Sequence, residues 1–271
     1  MGALPAIKGF QDAQVNVDAH ILHPGLLLDR YADYPTARFD DFNQEKGQKP
    51  HIMRVIKANT NCKIANERLL ESWQALYDAL PVEHKIEWTQ ACIWRLATHL
   101  SRASTLENGA VCLHPIHGFA YLPGSGMKGL ARAWAHQAEQ PKSDIVRILG
   151  SFDFRDAEEN IQTEIGKGAG SIVFLDAWPS TWPLLECDIV NNHHKDYYAN
   201  QGVNSPPGDW ESPNPTYFLA VKPGTAFRFA VVARDHNTSK EDVETAGYWL
   251  KSGLEELGAG AKTAAGYGYF S

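Results

Sequence analysis

Cysteine is scarce in this chain: Cys62, Cys92, Cys112 and Cys187 are the four in 271 residues, far apart and with no C-x-x-C pair. That spacing leaves a zinc ribbon unsupported and argues against a disulfide-stapled secreted fold, so the thiols read as reduced, apolar packing. Long apolar runs are missing as well. No stretch approaches the roughly 18 residues that a membrane-spanning helix needs. Met1-Gly2-Ala3-Leu4-Pro5-Ala6 lacks a basic segment followed by an apolar one, and Ala6 takes the place of a myristoylation Ser or Thr, so a cytoplasmic protein is expected. Basic charge is in deficit: 25 Lys and Arg face 32 Asp and Glu, a net charge of −7. An acidic total argues weakly against a nonspecific nucleic-acid binder.

What is present is enough for a folded core. Apolar residues make up 44% and charged residues 21%, which excludes a disordered chain. The charge is uneven. Residues 1–94 carry −2, residues 95–150 carry +3, residues 151–215 carry −8 and residues 216–271 carry 0. A local excess at 95–150 still permits a basic groove, because counterion release follows the contacted face and not the total. The acids Asp153, Asp156, Glu158, Glu159 and Glu164 read as a solvated face.

After an irregular start, Leu69, Leu70, Trp73, Leu76, Tyr77 and Leu80 recur at helical spacing and predict a helix over 67–80, capped by Asn66 and ended by Pro81. Cys92–Leu100 reads as a strand, and 110–114 with 118–122 as a hairpin. Leu122-Pro123-Gly124-Ser125-Gly126-Met127-Lys128-Gly129 then reads as a glycine-rich turn that opens a helix through Leu130–Ala135. Ser171–Leu175 is a strand, 187–215 a long polar surface loop, and Thr216–Val221 with Ala226–Ala233 two antiparallel strands. An amphipathic helix follows over 239–257, capped by Ser239. The order of elements suits an α+β fold of the ferredoxin-like (RRM-like) type, an antiparallel sheet with helices on one face, an N-terminal helical extension and long loop insertions. Residues 1–87 are the extension packed on the core and 88–271 the ferredoxin-like domain, together one structural unit.

Two glycine-rich turns carry the chemistry. A turn that opens a helix presents free N–H groups and a partial positive charge to an anion. In the first, Lys128 and Arg132 stand four apart on one helix face, suited to phosphate oxygens. A nucleotide P-loop fails on register, since Met127 precedes Lys128 and Ala261 precedes Lys262 where a glycine is required. The second turn reads Gly258, Gly260, five residues, Gly266, Gly268, a G-x-G-x-x-x-x-x-G-x-G spacing that embeds Lys262 and Thr263, with Tyr267 and Tyr269 able to stack on bases or fill core. Among histidines, His114 and His117 lie in a turn and His193-His194 in the polar loop. Adjacent side chains on extended backbone point apart, so no metal site is expected.

The C-terminal spacing is similar to the glycine-rich signature of the RAMP superfamily of CRISPR-associated proteins. Phe119–Arg132 resembles the superfamily's P-G-S-S-x-K-G-x-x-R element, with Gly126 in place of the second Ser. Gly170–Pro179, with Asp176-Ala177-Trp178-Pro179, resembles its central F-x-D-A-x-P segment. Leu185–Tyr198, with Asp188, His193, Tyr197 and Tyr198, resembles the D-x-x-x-x-H-x-x-x-Y-Y stretch of one subfamily, the sixth subunits of type III-B Cmr effector complexes, although Asn191-Asn192 replace the common Thr-Pro. Pro24–Tyr31 and Asn214-Pro215 fit the same subfamily. The resemblance implies a noncatalytic, RNA-binding subunit of an antiviral effector, at the end that holds the 3′ part of the guide RNA. It implies guide RNA first and target RNA second as ligands, and a backbone RAMP subunit, the small subunit and another terminal RAMP subunit as neighbours. Gly124, Ser125, Lys128, Arg132, Lys262 and Thr263 would hold phosphates, and His193 and Tyr197 would contact guide or target. No cofactor, metal or catalytic residue is implied. The alternatives are a RAMP endoribonuclease that processes guide precursor through a histidine, and a protein-contacting cap whose glycine loops only pack.

Overall fold

Ala226–Ala233 reads AFRFAVVA, with apolar residues at both parities, the pattern of a strand covered on two faces. In the computed structural model, which describes residues 23–30, 47–98, 109, 111–151, 168–194, 197–198, 206 and 208–271, this strand is the centre of an antiparallel sheet. The elements in chain order are α1 (Pro24–Arg30), α2 (Lys49–Asp78), β1 (Lys85–Ala91), α3 (Gly124–Gln137), α4 (Lys142–Leu149), β2 (Ile172–Phe174), β3 (Trp178–Pro179), β4 (Leu185–Asn192), β5 (Asn214–Val221), β6 (Ala226–Ala233) and α5 (Lys240–Glu256). They fall into two compact units. One holds residues 63–98, 120–183 and 221–271, and the other holds 1–62, 99–119 and 184–220.

In the first of these, β6 pairs with β1, β2 and β3. Lys85 stands opposite Val232 and Ala91 opposite Ala226, while Ile172 stands opposite Ala233. The chain returns to the free edge of β1 near its end: Cys92 bridges Phe270, and Ala91 and Ser271 exchange hydrogen bonds of 3.0 and 3.1 Å. The connectivity β1, α3, β2, β6, α5, final strand, with β1 and β6 inside, is the ferredoxin-like arrangement expected from the sequence. Helices α3 and α5 pack on each other and on the sheet. Residues of β6 that point one way, Phe227 and Phe229, meet Phe270 edge-on, and Trp88 stacks on Phe229 at 5.6 Å. The alternate residues Ala230 and Val232 meet Trp73 and Tyr77 from the second half of α2. Lys85 donates to the carbonyls of Tyr77 and Asp78 at 2.8 and 3.3 Å, closing the end of α2 with a cation where the helix is negative.

Several expectations need correction. The helix predicted over 67–80 begins at Lys49, because a polar stretch in its middle hides the periodicity. The strand in this part of the chain is Lys85–Ala91 and not the expected Cys92–Leu100, of which residues 99–100 lie outside the described residues: Ile86 and Trp88 alternate inward, and beyond Ala91 only isolated bridges remain. Residues 216–221 and 226–233 do not form a hairpin; β5 pairs with β4 while β6 joins the larger sheet. The Lys222–Thr225 turn instead exchanges hydrogen bonds with Cys92, Cys92 N to Thr225 O at 3.0 Å and Gly224 N to Cys92 O at 2.8 Å. The polar loop expected over 187–215 opens as strand β4, Leu185–Asn192.

The other unit carries α1, with Leu27 and Leu28 buried, the first half of α2, with Ile52 and Val55 buried, and the β4–β5 pair. Its hairpin expectation reduces to one tight turn, closed by His114 N to Phe119 O at 2.7 Å. Among the described residues no helix is long and apolar enough to cross a membrane.

Candidate nucleic-acid interface

The segment expected as a turn before a helix is itself helix. Pro123 is its extended cap, and α3 starts at Gly124. Three local features account for this despite the poor helix propensity of Gly-Ser-Gly. Leu122 pairs with Ala177 and fixes the entry of the chain. The Asp176 carboxylate accepts the N–H of Gly124 at 2.7 Å. Met127 and Ala131 are buried below. Gly124 is pressed so close to β2 that a Cβ there would lie 2.2 Å from the Phe174 carbonyl oxygen, so no other residue fits.

With Gly124 taken by Asp176 and the N–H of Met127 by the Pro123 carbonyl, the N–H groups of Ser125 and Gly126 find no partner among the described residues. They face outward at the positive end of α3, the standard disposition for an anion. Ser125, Gly126 and Gly129 are exposed, and the space a Cβ would take at Gly126 or Gly129 is open to 4 Å.

Lys128 stands one turn along this helix, half-buried. Burial first, then the guanidiniums of Arg132 and Arg234, hold its pKa below the usual lysine value. No carboxylate lies within ion-pair reach of it among the described residues. Arg132 donates to the carbonyls of Leu149 at 2.8 Å and Gly150 at 2.7 Å, gripping the C-terminal end of α4. Arg234 donates from Nε to the Gly170 carbonyl at 2.6 Å. Both guanidiniums thus donate to backbone carbonyls, and a third cation is held beside them. Arg234 was not anticipated, since it lies just beyond β6 and only the fold brings it to Lys128.

The C-terminal glycine spacing folds as a closed loop. Gly258, Gly260, Gly266 and Gly268 all take positive φ, between 74° and 88°. A Cβ on Gly268 would sit 1.9 Å from the Ala259 carbonyl oxygen. Ala259 N donates to Gly268 O at 2.7 Å, Ala261 N to Ala97 O at 2.6 Å and Gly268 N to Arg95 O at 2.8 Å. Lys262 is left-handed at φ 61°, ahead of the 3-10 turn Thr263–Ala265. Ala264, Ala265 and Gly266 form the exposed tip.

His193 and Tyr197 belong to the other compact unit, while Lys128 and Lys262 belong to the first. Both are exposed, with His193 tilted against His194 and Tyr197 edge-on to Tyr198 at 5.5 Å. His194 approaches Glu211 at 3.6 Å. His114 and His117 stack at 4.6 Å and rest on Phe119, and His114 Nδ1 accepts the N–H groups of Ile116 and His117. Among the described residues no group of three His, Cys, Asp or Glu could hold a metal. The acids at 153–164 lie outside the described residues.

A model of the RAMP superfamily matches residues 108–271. The CRISPR system Cmr subunit Cmr6 of Pyrococcus furiosus is 43% identical, over 81% of this chain and 78% of its own length. A chain in the cryo-EM structure of the type III-B Cmr-beta complex bound to cognate target RNA shares the fold, with a TM-score of 0.59 at 17% identity over 83% of this chain and 73% of that one. The crystal structure of Pyrococcus furiosus Cmr6 aligns with 69% of this chain and 97% of its own, at 30% identity and a TM-score of 0.39. The chain belongs to the RAMP superfamily, as a Cmr6-like member of it.

Proposed function

We propose that this chain is a noncatalytic RNA-binding subunit of a type III-B Cmr effector complex in CRISPR defence, capping the end that holds the 3′ part of the guide RNA. The observation that carries the RNA reading is the Lys128, Arg132 and Arg234 cluster at the open end of α3. Like charges gathered without a carboxylate at Lys128 are unfavourable in the free chain, and an RNA phosphate relieves them. Membership of the complex is supported by the 43% identity to a Cmr6 subunit. On this reading Gly124 shapes the approach, and Ser125 and Lys128 hold the backbone. Arg132 fixes the site from below, and Lys262 with Thr263 holds a second phosphate. His193 and Tyr197 contact guide or target. The backbone RAMP subunit, the small subunit and a second terminal RAMP subunit are its neighbours. A noncatalytic role fits His114, whose Nδ1 lone pair is already engaged by two backbone N–H groups.

The test is reconstitution with the other Cmr subunits and a guide RNA, comparing wild type with Lys128→Ala. The expected result is incorporation of both proteins, with crosslinks from wild type to the 3′ part of the guide and weaker, less salt-sensitive binding in the variant. Failure of wild type to enter the complex, or crosslinks confined to the 5′ part, overturns the reading.

A further inference from the structure

Of eight tryptophans, six are buried or half-buried and two are exposed, Trp94 at 47% and Trp210 at 83%. Trp94 is the one with a built setting. Its neighbours are tied down on both sides. Ile93 N donates to Tyr269 O at 2.8 Å, and the Arg95 carbonyl accepts from Gly268 N at 2.8 Å. Leu96 exchanges hydrogen bonds with Val221, and Ala97 bridges Ala261. The backbone that presents the indole is therefore braced against the same glycine-rich loop that carries Lys262 and Thr263. The Arg95 guanidinium lies over the ring at 4.7 Å, which adds a cation–π contact.

We propose that Trp94, backed by Arg95, is a stacking platform for one unpaired nucleobase of an RNA strand whose phosphates pass along the glycine-rich loop. This rests on the RNA-binding reading above and adds a base contact to it. An indole left open to water in a chain that buries most of its other tryptophans is unfavourable unless something covers it, and every base offers a π-face of the right size. The guanidinium makes the platform electropositive, which favours a base attached to an anionic backbone over a neutral apolar side chain. Because the backbone that presents the indole is already braced on both sides, little backbone ordering remains to oppose binding.

The experiment is titration of the full chain with a labelled single-stranded RNA and with a duplex RNA of equal length, for wild type, Trp94→Ala, Trp94→Phe and Lys128→Ala, at several salt concentrations. Thermal melting of each variant checks its fold, and Trp94→Phe keeps a ring should the alanine variant be damaged. Trp94→Ala is expected to weaken single-strand binding about 5- to 100-fold, with the salt slope unchanged and duplex binding unaffected. Trp94→Phe is expected to restore most of the loss. If Trp94→Ala binds the single strand like wild type while Lys128→Ala is weakened, the platform is wrong and the RNA reading stands. If wild type shows no salt-sensitive RNA binding, both are overturned. If Trp94→Ala loses its Cmr partners but keeps its RNA affinity, the surface belongs to a protein neighbour and the platform is again overturned.

Discussion

The side-chain carboxylate of Asp176 accepts the backbone N–H of Gly124, 52 residues away in sequence, at 2.7 Å, joining two separate sequence elements. One is the Pro-Gly-Ser-Gly-Met-Lys segment and the other the Asp-Ala-Trp-Pro segment. Asp176→Ala is expected to lower stability by about 1 kcal/mol, the usual worth of a helix N-cap. Asp176→Asn, which keeps an acceptor, is expected to lose less. Chemical denaturation of the three proteins measures both.

Lys128 and Arg132 are expected to separate stability from binding. Arg132→Ala strips a guanidinium from the carbonyls of Leu149 and Gly150 and is expected to cost about 1–3 kcal/mol. Arg132→Lys rescues only part, because one ammonium does not reproduce the two-pronged grip. Lys128→Met is expected to leave the melting temperature unchanged or raised while RNA affinity falls, with the salt slope shallower by about one.

The same lysine gives a pH signature. Its folded pKa lies below 10.5, so in the window beneath that value the unfolded chain holds the proton more tightly, and stability rises as pH climbs through it. Lys128→Met is expected to flatten that rise. Bound phosphate favours the ammonium, so RNA binding at alkaline pH is expected to take up a proton, which calorimetry in buffers of different ionisation enthalpy detects.

His117 is held below its ordinary 6.5 by burial and by the neighbouring His23. A base depressed in the fold stabilises it fully above 6.5, and that contribution is lost as pH falls beneath it, when only the unfolded chain takes the proton. Urea midpoints between pH 7 and pH 5 are expected to fall less steeply for His117→Phe than for wild type.

The glycines are expected to fall into two classes. Gly268→Ala forces a Cβ into the Ala259 carbonyl and is expected to prevent folding. Gly126→Ala meets nothing within 4 Å and is expected to raise stability by about 0.5–1 kcal/mol. If RNA affinity nonetheless drops, that glycine keeps the helix surface open to a backbone. Melting and RNA titration of the pair answer both points.

Much of this was legible in the sequence. Strand Ala226–Ala233 and helix α5 stand where their patterns placed them, and Ser239 accepts from Asp242 N as its capping position predicts. The four-glycine spacing corresponds to four residues at positive φ, a demand few other residues meet. Strand β4 was hidden because Leu185 alone among its described side chains is buried while Ile189 and Val190 are exposed, so its composition offers little of a buried face to read. The start of α2 was hidden by its polar middle. Arg234 could not be linked to Lys128 at all, since nothing local in a sequence records which strand end meets which helix.

Strand β6 is the partner of β1, β2 and β3 alike, and it comes late in the chain. During synthesis three strands therefore wait, with their ladder groups unpaired, until residues 226–233 emerge from the ribosome. Contacts of such long sequence separation close slowly. The sheet is expected to form in one late, cooperative step, and chains halted before Ala226 are expected to be aggregation-prone fragments with no partly working form.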